Sequence, residues 1–181
     1  LDKYSGYQNR AALHVQLGDY DSALADFQLA SNISPDAALP WKNMASLHLQ
    51  GGRYQDATDA YNKAIDLDPD DTRLYYAWAQ SRSFYVGSEQ SILDFTRVLE
   101  KDPLNSNAYV SRGKSFFDVE QYDQAINDYT QALQYDAENV CAYELRSKVY
   151  TLIGQIEKAT NDIDTLTVLR GGDLRVLSQS C

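Results

Sequence analysis

His14 and His48 are the chain's two imidazoles, and they stand 34 residues apart. An imidazole can serve as a general base or as a metal ligand near neutral pH. Either task needs company: a group that orients the ring, or further ligands at metal spacing. No carboxylate pair or third ligand stands at such a spacing here. Phe116 and Tyr150 occupy the same slot further along, on the same 34-residue step. Both histidines therefore read as packed, hydrogen-bonded rings between helices. Asp68, Asp70 and Asp71 form an acidic cluster, but it lacks the alternation and closing glutamate of a calcium loop and reads as a solvated turn. There is no phosphate-cradling glycine loop and no nucleophile elbow. Cys141 and Cys181 are too few for a disulfide framework or a zinc site; they favour a reducing compartment, with Cys181 an accident of where the chain is cut. Asn32-Ile33-Ser34 matches a glycosylation sequon but is followed by Pro35 and is discounted. The expectation is a chain that is not an enzyme and holds no cofactor and no metal.

What positions these residues is a period. Ala23, Ala57, Ser91, Ala125 and Ala159 recur at a step of 34. So do Tyr7, Trp41, Tyr75, Tyr109 and Tyr143, and the small residues Ala11, Ala45, Ala79, Gly113 and Ser147. Phe27, Tyr61, Phe95, Tyr129 and Ile163 form a second large rung, and Pro35, Pro69 and Pro103 fall in step at the boundaries. Trp41, Ala45 and His48 share one helical face, as do Ala57, Tyr61 and Ala64. Small residues let two helices approach, large ones fill the space beside them, and Gly52 permits the turn between them. One helix pair cannot bury its own apolar face; stacked neighbours can. The third repeat departs from the pattern, with Gly87 one place late and Ser88 in a tyrosine slot, which predicts an altered turn.

The ladders resemble the tetratricopeptide repeat family, over residues 4 to 173. The landmarks are the aromatic, small, Gly-x-Tyr, Ala, aromatic, Ala and Pro positions of a 34-residue helix–turn–helix. The resemblance implies an all-α, right-handed superhelical α-solenoid. Its single domain would comprise repeats 4–37, 38–71, 72–105, 106–139 and 140–173, with 174–181 as the start of a further or capping helix. The missing initial Met and the short tail read as a processed or excised piece of a longer protein.

The resemblance also implies a binding habit: the first helices of successive repeats line a concave groove that holds a partner peptide or helix. The groove slots map onto Lys42, Asn43, Arg73, Tyr76, Gln80, Phe84, Asn107, Lys114, Phe117 and Lys148. Counting Asp118 and Glu144 against the four cations leaves this set at +2, on a chain whose net charge is −10. That predicts a partner with an acidic segment, with Tyr76, Phe84 and Phe117 as apolar anchors. The carboxylate clamp of the chaperone-binding subfamily is not rebuilt: its slots hold Gln8, Ala12, Asn43, Arg73 and Ala77, and no shifted frame does better. The net charge argues against nucleic acid and anionic membrane surfaces. No apolar run approaches the roughly 20 residues of a membrane helix. With no targeting signal visible, the default compartment is cytoplasmic. The leading expectation is a non-catalytic interaction scaffold. A segment of a longer array or assembly working through its convex face or ends, and a regulatory or targeting module of a larger enzyme, stand as alternatives.

Overall fold

The computed structural model describes residues 2–171 and 181, which hold ten α-helices and no strand. They are α1 (Lys3–Gln16), α2 (Tyr20–Ile33), α3 (Ala38–Gln50), α4 (Tyr54–Leu67), α5 (Thr72–Ser83), α6 (Ser88–Lys101), α7 (Ser106–Asp118), α8 (Tyr122–Tyr135), α9 (Val140–Leu152) and α10 (Ile156–Leu169). The contacts divide the chain into two compact units, Leu1–Val86 and Gly87–Cys181. In the first, α1 packs on α2 and α3 on α4; in the second, α7 packs on α8 and α9 on α10. No helix among the described residues is long and apolar enough to cross a membrane.

The small rungs are the closest approaches. Ala11, Ala23, Ala30, Ala45, Ala57 and Ala64 are fully buried in the first unit, with Phe27 and Tyr61 buried beside them. In the second unit Ala125, Ala132 and Ala142 play the same part around Tyr129. At Gly113 an added Cβ would lie 2.7 Å from Cε1 of Tyr129, so this rung needs a glycine. Three of the second helices end just ahead of a proline, and α8 ends the same way at Asp136, ahead of Ala137. Ser34, Asp68 and Asp102 each precede a proline and leave the helix with φ of −127°, −139° and −136°, because the proline ring excludes the helical conformation from its predecessor.

The turns inside the repeats need one left-handed residue. Gly18, Gly52 and Gly154 supply it with φ of 76°, 70° and 78°. In the third repeat the displaced glycine does alter the turn. The amides of Tyr85 and Val86 both donate to the carbonyl of Arg82, and Gly87 serves as the N-cap of α6 with φ of −70°. The fourth repeat keeps the usual turn but fills it with Glu120 at φ 61°, a conformation that strains any side chain with a Cβ. The next residue, Gln121, caps α8 without a side-chain bond, whereas Asp19 at the equivalent place accepts from the Ser22 amide. Glu120→Gly with Gln121→Asp copies the first repeat's solution. It should raise the unfolding free energy by about 1–2 kcal/mol in a urea titration.

First helices are capped in step. Asn105 and Asn139 accept from the amide three residues on, and Asp71 from the amide of Arg73. The second repeat has Ala37 in this slot and no side-chain cap. Pro40, three residues on, has no amide hydrogen to offer, so little is lost by the alanine.

The cysteines overturn an expectation. Cys141, near the start of α9, is bonded to Cys181, 40 residues on, with the Cα atoms 5.5 Å apart. The reason is the antiparallel pair: α10 returns the chain to the start of α9, as the bond from Arg170 to Glu144 also reflects. Disulfides belong to oxidising surroundings, so the two cysteines do not favour a reducing compartment. Residues 174–180 of the expected further helix lie outside the described residues.

Candidate functional site

In the first unit, Lys42 and Asn43 stand on α3, Arg73, Tyr76 and Gln80 on α5, and Phe84 just beyond its end. Asn43 Nδ2 donates to Gln8 Oε1 on α1 at 3.3 Å, so the first helices of consecutive repeats adjoin here. Lys42 Nζ reaches across to Asp71 at 3.3 Å, and Arg73 holds the same carboxylate through Nε and Nη2 at 2.7 and 2.9 Å. The Arg73 guanidinium, helped by Lys42 and opposed by partial burial, brings the Asp71 carboxyl down to about 2. Asp71 lies outside the first-helix slots counted from sequence, and including it removes half of their positive excess. Tyr76 and Gln80 are half-buried. Phe84 is 56% exposed and stacks on Tyr54, ring centroids 4.1 Å apart.

In the second unit, Asn107 and Lys114 are exposed on α7. Lys114 Nζ donates to the backbone oxygen of Cys181. Phe117 is tilted against Tyr122 at 5.7 Å. Lys148 is exposed and pairs with Glu144 at 2.6 Å. Glu144 is buried and also accepts from Arg170 at 3.1 Å. Burial would raise its pKa, but the bonds from Lys148 and Arg170 outweigh it and hold the carboxyl below its ordinary range. Three of the four predicted groove cations are thus already matched by the chain's own acids.

The two histidines differ in their surroundings. His14 Nδ1 lies 3.5 Å from Asp19 and its Nε2 3.9 Å from Asp26. The Nδ1 of His48 is buried without a hydrogen-bond partner, contrary to the expectation of a bonded ring. No group of three metal-binding side chains is present among the described residues.

One polar ladder escaped the sequence reading. Arg112 forms a bidentate bond with Asp128 at 2.8 Å on both arms, and Arg146 with Asp162 at 2.8 and 2.7 Å. Each also donates to a threonine of the preceding repeat: Arg112 to Thr96 at 3.1 Å, Arg146 to Thr130 at 2.9 Å. Arg10 and Asp26 make the same bidentate pair in the first unit at 2.7 and 2.5 Å. The clasp therefore joins both helices of a repeat and, in the second unit, the repeat before. The signal was available, as an Arg and an Asp 16 residues apart repeating in step.

Comparison with known proteins agrees with this architecture. A tetratricopeptide repeat model matches residues 4–70 and a TPR repeat model residues 113–154. No curated protein sequence matches. Among solved structures, MamA 41-end from Desulfovibrio magneticus RS-1 is 17% identical over 99% of both chains, with a TM-score of 0.83. Another MamA structure is 16% identical over 99% of this chain and 97% of its own, with a TM-score of 0.81. YrrB, described as a TPR protein with an unusual peptide-binding site, is 18% identical over 94% of this chain and 88% of its own, with a TM-score of 0.72. At these identities the likeness is one of fold. With its 34-residue ladders, its paired helices and repeat models matching in both units, the chain belongs to the tetratricopeptide repeat family.

Proposed function

We propose that the chain is a non-catalytic protein-interaction scaffold, taking a partner's peptide or helix against the first helices of its repeats, the concave groove of the family. The observation that carries this reading is the bond from Asn43 to Gln8. It supports a continuous face of amide side chains across α1 and α3, which a peptide backbone can meet with hydrogen bonds. In the second unit Asn107, Lys114 and Phe117 are exposed on one helix. An acidic partner segment would seek Lys114, which is exposed on α7. Lys42, Arg73 and Lys148 contribute less, because Asp71 and Glu144 already answer them.

The test is affinity capture with mass spectrometry, comparing the native chain with Lys114→Glu, Phe117→Ala. Lys148 is left in place, since Glu144 is buried and depends on it. A partner held by the native chain and depleted about tenfold on the variant supports the reading. Equal capture by two equally helical proteins would place the working surface elsewhere.

A further inference from the structure

The arginine clasp is missing from the second repeat. Met44 and Ala60 occupy the slots that Arg112 and Asp128 fill in the fourth. At that place in the first unit a cavity of about 590 Å³ opens, with Trp41, Met44, His48 and Ala60 among its lining. The corresponding hollow of the second unit, lined by Arg112, Phe116 and Asp128, measures about 380 Å³.

The side chain that lies against the smaller one indicates what suits the larger. The Arg112 guanidinium lies 5.6 Å from the Tyr109 ring centre and 5.9 Å from that of Phe116. Trp41 and His48 occupy the slots of those two rings. The second repeat thus keeps the aromatic walls of a guanidinium slot without a guanidinium of its own. Its rim has changed as well. Asp56, Asp59 and Asp66 line the cavity where the fourth repeat has Gln124, Asn127 and Gln134, and Lys63 is the cation among them. Burial, with Arg53 nearby, lowers the His48 pKa, so its ring is neutral at neutral pH and does not repel a cation. Trp41, Met44 and His48 recur at helical spacing on the side of α3 turned away from Lys42 and Asn43, so this cavity is separate from the groove proposed above.

We propose that this cavity is a docking site for an arginine side chain of a partner protein. Its guanidinium would lie between Trp41 and His48, with its charge answered by the aspartates of α4. The fit is chemical on each side. Tryptophan offers the most favourable ring face for a cation, a planar guanidinium stacks where an ammonium does not, and the aliphatic stem gains contact with Met44 and Ala60.

The test follows the indole N–H of Trp41 by NMR while the capped tripeptide Leu-Arg-Leu is added, with Leu-Glu-Leu as the charge control. The expected result is a saturable shift at Trp41, with binding of the glutamate peptide weaker by about tenfold or more. Met44→Arg with Ala60→Asp should abolish the shift, by filling the slot with a clasp like that of Arg112 and Asp128. Asp56→Asn with Asp59→Asn leaves the cavity open and should weaken binding several-fold, which keeps the test decisive if the first variant fails to fold. No saturation at Trp41, equal response to both peptides, or shifts confined to Lys42 and Asn43 would each overturn the proposal.

Discussion

Asp128→Ala will cost the second unit about 3 kcal/mol, and adding Arg112→Met to it will restore most of that loss. The asymmetry follows from burial. The side chain of Asp128 is 2% exposed and that of Arg112 18%. Removing the carboxylate strands a guanidinium with no opposite charge, in a place where water reaches it poorly. Removing both charges leaves methionine and alanine, the pair that the second repeat already carries in these slots as Met44 and Ala60. Methionine is flexible enough to fill the space against Tyr109 and Phe116. The first repeat's pair is a poorer site for the experiment, because Arg10 is 57% exposed and its charge stays solvated when Asp26 is lost. Urea denaturation of the wild type, both single variants and the double variant closes the cycle. The expected coupling is about 2 kcal/mol or more; additive losses would show that the clasp acts only as two independent hydrogen-bonding groups.

That clasp also marks the limit of what the sequence made legible. Apolar and small rungs announced the repeat because every repeat needs a close helix approach at Ala23 and its counterparts, and a large side chain beside it. The Arg–Asp ladder obeys the same step but is interrupted at Met44 and Ala60 and at Trp78, and charged residues at helix-surface spacing read naturally as solvated. The turn of the third repeat was legible from one displaced glycine, since a left-handed residue has few substitutes. Glu120 was not, because nothing in its type signals a positive φ. The charge count over the expected groove slots left out Asp71 for a different reason. Lys42 and Arg73 lie on first-helix faces, but the acid that answers them, Asp71, comes from the connection before α5 and enters through its role as an N-cap. Whether two side chains 29 residues apart meet there depends on how α3 and α5 stack, which a slot-by-slot count does not contain. The cavity at Trp41 had the same character: every residue was visible, but the absence of an arginine acquires meaning only beside the repeats that have one.

Reducing the bond between Cys141 and Cys181 will loosen α10 far more than any other helix of the second unit. The loop closed by this disulfide contains the whole of α10. For a loop of this length the chain-entropy account gives about 4 kcal/mol of stabilisation, and measured values commonly fall at 2–4 kcal/mol. The helix depends on such help. It buries Ala159, Asp162 and Leu166 against its partner while leaving Ile156, Ile163 and Val168 exposed. In a repeat array each element answers chiefly to its neighbours, so the effect should stop at α9 and leave α7 and α8 as they were. Amide hydrogen exchange before and after reduction, repeated with Cys141→Ser, measures this directly. Exchange in α10 should accelerate about a hundredfold or more, corresponding to roughly 3 kcal/mol in the opening equilibrium. Unchanged protection would mean that the Arg146–Asp162 clasp and the Arg170–Glu144 bond already hold α10 without the disulfide. Loss of protection throughout α7 and α8 would mean that the second unit unfolds as one cooperative block.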